Sequence, residues 1–197
     1  MKHFYEVTSL PTFDLLSDVD KLLELDDRKQ IGITTISTRP NDTDMACGSL
    51  NYDWENAYWE KDEHGFDKKI VPLRDPPLRE EDFNTLVSQF VGTKFEIIYQ
   101  EIQKRFKVGR IRLMRNLPVT CLTWHEDSQI RLHYPIKTQE GCFMVIDDEV
   151  KHLEQNKWYL TNTRLPHTAF NGSKEERIHL VVNIMEDYNE LCAKGNL

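Results

Sequence analysis

"TWHEDSQIRLHYPI", residues 123–136, decides how the rest of the chain is read. Every odd position from His125 to His133 is polar: His125, Asp127, Gln129, Arg131 and His133. From position 130 the even positions are Ile130, Leu132, Tyr134 and Ile136. Successive side chains on a strand point to opposite faces, so the run predicts one strand with a core face and a polar face. Two imidazoles, a carboxylate and a guanidinium on one face call for a function.

Outward from that stretch, the chain from Val108 onward breaks into short candidate strands. They are "GRIRLMR", "VTCLTW", "IRLHYPI", "CFMVI", "EVKHLE", "KWYLTN" and "RIHLVVNI", with turns at "QEGC", "EQNK" and "FNGS". Upstream the period changes. Leu15, Leu16, Val19, Leu22 and Leu23 predict a helix over 14–28, and "ITTIST" at 33–38 predicts a strand. Phe83, Leu86, Val87 and Phe90, then Phe95, Ile98, Ile102 and Phe106, predict two helices over 79–106 meeting near Gly92. The pattern is that of a mainly β fold with helical cover, a sandwich or jelly roll. Residues 1–197 form one domain in this reading, with 1–107 supplying cover and extra strands and 108–185 the β core.

Composition limits the function classes. The 197 residues are 39% hydrophobic with 9 Phe, 7 Tyr and 4 Trp, enough for one sizeable core. The 33 acidic and 25 basic residues give a formal charge of -8, which argues against a nucleic-acid groove. One local exception is "KRFKVGRIRLMR" at 104–115, with six cations and no acid; it reads as a helix end followed by a solvated strand face. No run of about 18 apolar residues predicts a membrane span. Cys47, Cys121, Cys142 and Cys192 show no CxxC spacing, which predicts free thiols and a cytoplasmic protein.

The polar face suggests metal chemistry. His125 and Asp127, two residues apart, can converge on one point from a strand end. His167, in "RLPHTAF", offers a third donor from another strand. Two imidazoles and one carboxylate hold ferrous iron and leave coordination positions open for a cosubstrate and dioxygen. Ten residues after His167 stands Arg177, whose guanidinium is suited to a two-pronged bond with a dicarboxylate cosubstrate. An ion pair with Glu175 or Glu176 is the plainer role for Arg177, and packing the plainer role for the aromatic segment 51–59 that could cover the site.

From about 112 to 184, "WHEDSQIRLHYPI", "WYLTNTRLPHTAFNGS" and "RIHLVVNI" together resemble the Fe(II)/2-oxoglutarate-dependent dioxygenases. The resemblance is to the aspartyl/asparaginyl β-hydroxylase-like group, which includes bacterial proline cis-hydroxylases. It implies a double-stranded β-helix (jelly roll, cupin-like), that His125, Asp127 and His167 hold Fe(II) and that Arg177 binds the distal carboxylate of 2-oxoglutarate. Arg131 and His133 match the family's RxH element near that cosubstrate; an ion pair or strand-surface role competes. The implied activity is hydroxylation of a side-chain carbon of an amino acid, free or peptidyl, using dioxygen and releasing succinate and CO2. Arg131 or Arg115 would be available for a substrate carboxylate. A non-catalytic cupin-like metal-binding or sensing module is the alternative; it would keep the metal ligands without needing Arg177 buried beside them.

Overall fold

The computed structural model describes residues 2–193. In chain order the strands before the second long helix are β1 (Phe4–Val7), β2 (Gln30–Gly32), β3 (Thr34–Thr35), β4 (Tyr58–Lys61), β5 (Asp67–Ile70) and β6 (Thr85–Leu86). Helix α1 (Leu16–Leu25) lies between the first two, and α2 (Lys94–Gln103) follows β6. The core strands are β7 (Val108–Asn116), β8 (Thr120–Cys121), β9 (Ile130–Lys137), β10 (Cys142–Ile146), β11 (Glu149–Lys151), β12 (Trp158–Thr161), β13 (His167–Asn171) and β14 (Arg177–Ile184), before α3 (Tyr188–Ala193).

Two sheets form the double-stranded β-helix. The larger has the order β1-β12-β9-β14-β7-β2, the smaller β11-β10-β13-β8, and all their pairings are antiparallel. β14 lies centrally between β9 and β7, and all eight of its residues are buried. Its even positions, Ile178, Leu180, Val182 and Ile184, join Ile111, Leu113, Leu132 and Tyr134 in the main core. Val19 of α1 and Phe95, Ile98 and Ile102 of α2 belong to that core too, so both helices cover the outer face of the larger sheet. Its inner face carries the odd positions, and it is polar.

The N-terminal part departs from the periodicity in specific ways. The first helix spans only Leu16–Leu25, with Leu16 N–H donating to Asp14 Oδ1. Residues 79–93 are not a helix but short 3-10 turns around the two-residue β6. The reason is tertiary: Val87 N–H donates to Ile33 O and Ser88 N–H to Pro40 O, and β6 pairs with β3. Tertiary pairing thus claims the donors a helix would use, while Phe83, Val87 and Phe90 still reach the core. Helix α2 starts after Gly92, where the Thr93 hydroxyl accepts from Phe95 N–H. β1, unmarked by any strong pattern, adds an edge to the larger sheet beside β12.

Lys104, Arg105 and Lys107 at the end of α2 are exposed, but the strand part of the cation run is not solvated. Arg110 and Arg112 are 6% and 3% exposed on the inner face of β7, and Arg115 is tied to Glu176 at 2.7 Å. Arg110 meets the Glu80 carboxylate through Nε and Nη2 at 2.8 and 2.7 Å, and its Nη1 donates to Ala46 O and Gly48 O. The aromatic segment 51–59 does not pack either. Tyr52, Trp54, Tyr58 and Trp59 are all exposed, and β4 and β5 form a separate two-stranded sheet. None of the four lines the cavity described below. Among the described residues no helix is long and apolar enough to cross a membrane, and none of the four cysteines is in a disulfide.

Candidate metal centre

The stretch 123–136 is not one continuous strand. β9 begins at Ile130, and His125 sits apart in an isolated antiparallel bridge with His167. His125 N–H donates to His167 O at 3.1 Å and His167 N–H returns the bond to His125 O at 2.9 Å. That exchange sets the two imidazoles 4.2 Å apart between centroids. Asp127 is anchored separately, its N–H donating to Thr163 O at 2.9 Å. The donor atoms of His125, Asp127 and His167 all lie within 4.8 Å of one another.

Both imidazoles are oriented alike. His125 Nδ1 lies 2.7 Å from Thr123 O, and His167 Nδ1 lies 3.0 Å from Leu165 O. A carbonyl can only accept, so each Nδ1 carries the proton and each Nε2 keeps a lone pair. Such a bond from the distal ring nitrogen is what commonly orients a metal-ligating histidine. Asp127 Oδ2, buried and without a hydrogen bond, stands 3.3 Å from His167 Nε2. Two lone pairs that close, with no hydrogen between them, are stable with a cation or an added proton there. Burial pushes the Asp127 pKa up, but a proton shared with His167 and the nearby Arg131 guanidinium outweigh it and hold the carboxyl below its usual range. The donor set therefore fits a divalent transition metal.

A second grouping, His3, Asp147 and Asp148, lacks this support. His3 Nε2 is 3.9 Å from Asp147 Oδ2, while its buried Nδ1 has no partner to carry or fix a proton. We assign no metal to it.

Beside the three donors lies a cavity lined by Arg131, His133, Met144, Thr163, Arg177 and His179, among others. Its enclosed space is about 30 Å³. The inner face of the larger sheet runs in rows: Arg131 beside Asn183, then His133–Val181–Arg112, then Pro135–His179–Met114, with Arg177 beside Asn116. Arg177 is 7% exposed, and its ionic neighbours in sequence are engaged elsewhere, Glu175 and Glu176 with Lys137 and Glu176 also with Arg115. An ion pair to either acid is not formed. Its Nη2 donates to His179 Nδ1 at 3.0 Å, and His179 Nδ1 lies 3.4 Å from His133 Nδ1. Burial lowers the Arg177 pKa to about 10 and holds both histidines well below their ordinary value, with Arg177 reinforcing the effect. Arg131 bonds Asp127 Oδ1 through Nη2 at 2.5 Å.

His125, Asp127 and His167 are thus together, and Arg131, His133 and Arg177 line the adjoining cavity. His179 and Arg112 were not singled out by spacing. The alternation Arg110-Ile111-Arg112-Leu113 carried the signal for Arg112, since Ile111 and Leu113 point to the core and their neighbours must point inward.

A jelly roll carrying a two-histidine, one-carboxylate cluster beside buried cations has the make-up of a metal-binding site. Residues 35–187 match the aspartyl/asparaginyl beta-hydroxylase family, and the chain belongs to that family. It is similar to the L-proline cis-4-hydroxylase of Rhizobium meliloti (strain 1021), 26% identical over 91 residues, 42% of this chain. The match spans only 32% of that protein's length. Among solved structures it is similar to AviO1 of Streptomyces viridochromogenes Tue57, with 13% identity, 94% and 90% of the two chains covered and a TM-score of 0.47. A 2OG-Fe(II) oxygenase family oxidoreductase from Burkholderia pseudomallei gives 13% identity, coverage of 86% and 90%, and a TM-score of 0.40.

Proposed function

We propose that the chain is an Fe(II)- and 2-oxoglutarate-dependent dioxygenase that hydroxylates a side-chain carbon of an amino acid, free or peptidyl. The observation that carries this is the three-donor cluster standing beside a buried arginine that has no acid of its own. His125 and His167 would bind Fe(II) through Nε2, and Asp127 would bind through Oδ2. Bound iron would supply the coupling of dioxygen reduction to 2-oxoglutarate decarboxylation, which yields succinate and CO2. Arg177 would take the distal carboxylate in a planar, two-pronged contact. His179 holds that guanidinium in place through Nδ1. His133 and His179, kept neutral, each leave a buried Nε2 facing the same cavity for hydrogen bonding. Arg131 fixes Asp127 by holding Oδ1 and leaving Oδ2 free.

Anaerobic titration of the protein with Fe(II) and then 2-oxoglutarate tests the reading. A metal-to-ligand charge-transfer band is expected, followed under air by succinate and a mass gain of about 16 Da on an amino acid or peptide. Metal binding without that band would favour a cupin-like module.

A further inference from the structure

The hairpin β4–β5 stands apart from every core. It is a two-stranded sheet of its own, and each of its strand residues except Ile70 is exposed. At its base Asp53 N–H donates to Pro72 O and Arg74 N–H to Asn51 O, on either side of the bridge between Tyr52 and Leu73. Among the described residues, none of the hairpin's side chains joins an apolar cluster. A two-stranded hairpin is marginal in water by itself, and a sheet ordinarily buries one face against another layer.

One face of the hairpin is a continuous apolar patch. Trp59 stands directly opposite Lys69, whose Nζ lies 5.6 Å over the Trp54 ring. Trp54 meets Tyr52 edge-on with centroids 6.3 Å apart, and Tyr52 faces Leu73 across the bridge. Tyr52, Trp54, Trp59 and Leu73 are 42%, 53%, 66% and 72% exposed. At ~200 Å² for a whole side chain of this kind, they present about 450 Å². Lone proteins rarely leave more apolar surface than that uncovered in one patch. Lys61 and Asp67, on the same face and 65% and 66% exposed, extend it toward the ~800 Å² that one partner gives to a standard interface.

Charge selects the occupant. The chain carries a formal charge of -8, so two copies repel over most of their surface. This face instead sets Asp67 against Lys61 at 2.6 Å and adds the cation Lys69. Opposite signs within one patch complement the same patch turned about a twofold axis. Anionic lipid and nucleic acid favour a uniformly basic face, which Asp67 interrupts. None of these residues lines the cavity beside the metal cluster, so a ligand held there leaves the patch bare. We propose that the Trp54–Trp59 face is a self-association surface, covered by the same face of a second copy of the chain. The two tryptophans are its anchors, and Lys61 and Asp67 form its polar rim. The pairing is independent of the chemistry at the metal cluster.

Sedimentation velocity tests it on the full chain and its Trp54→Glu, Trp59→Glu and Tyr58→Glu variants, from about 1 to 200 μM, the range of a modest interface. The weight-average mass of the parent is expected to rise with concentration from 23.3 kDa toward twice that value. Each tryptophan variant places a carboxylate inside the patch and is expected to weaken association at least about 30-fold, the threshold of an interface hot spot. Tyr58→Glu puts the same charge on the opposite face, beside Ile70, and is expected to associate as the parent does. Melting curves at the lowest concentration are expected to coincide for all four proteins, because none of these side chains belongs to a core. A parent that stays at 23.3 kDa throughout overturns the proposal, whatever other partner it binds. So does parental association in both tryptophan variants. Loss of association in Tyr58→Glu overturns the assignment to this face. A lower melting point in both tryptophan variants assigns the patch to the stability of the single chain and sinks the proposal as well.

Discussion

His125 and His167, forty-two positions apart, exchange both backbone hydrogen bonds in a single antiparallel bridge, His167 opening β13 and His125 lying in no strand. The bridge does the work of a strand without its length, delivering two imidazoles to one point while leaving Asp127 free to be held by Thr163. Replacing either side chain therefore leaves this backbone link intact.

That separation makes the metal assignment testable. Asp127→Ala and His167→Ala are expected to stay folded while losing Fe(II) binding and succinate formation. Because imidazole must be neutral to ligate, Fe(II) affinity is expected to fall as pH is lowered. Full iron stoichiometry in either variant, measured by calorimetry, would show that the cluster is not the binding site.

Arg177→Ala is expected to weaken 2-oxoglutarate binding by about two to three and a half powers of ten, from the roughly 3–5 kcal/mol that an unpaired buried charge costs. His179→Phe keeps an aromatic ring, slightly larger, but removes the acceptor for Arg177 Nη2. A smaller loss, about 10-fold, is expected there. Unaltered affinity in Arg177→Ala would move the cosubstrate elsewhere.

The pair Arg110–Glu80 is a structural matter. Glu80→Ala leaves Arg110 buried beside Arg112 with no acid at hand, and about 3–5 kcal/mol of stability is expected to be lost. Arg110→Met combined with Glu80→Leu should recover most of it. Denaturant unfolding measures both, and a double variant as unstable as Glu80→Ala would contradict the pairing.

Stability should also depend on pH through His133 and His179. Burial, then Arg177, depresses both native pKa values, so the unfolded chain binds more protons as pH falls. The metal-free protein is expected to hold its full stability above about pH 6.5 and to lose it below, by up to about 1.4 kcal/mol per pH unit for each histidine. His133→Gln should flatten the slope; an unchanged slope would mean these rings are not buried neutral.

Much of this could be read from the chain. Alternation in 130–136 marked β9, "CFMVI" marked β10, and the residues at 125, 127, 167 and 177 were found by donor chemistry and spacing. What escaped did so for physical reasons. The bridge at His125 and the fold of 79–93 depend on hydrogen bonds to distant segments, which local periodicity does not contain. Arg112 was misjudged because a cation run is ordinarily solvated; only the period-2 partners Ile111 and Leu113 betrayed its burial.

β14 turns four residues toward the core and three, Arg177, His179 and Val181, toward the cavity, with every residue of the strand buried. A strand so placed has no route to local opening, so its amides should exchange hydrogen only when the whole domain unfolds. Any ligand that occupies the cavity would then slow exchange along β14 in step with its effect on global stability. The amides of β14, held within the sheet between β9 and β7, thereby report on occupancy.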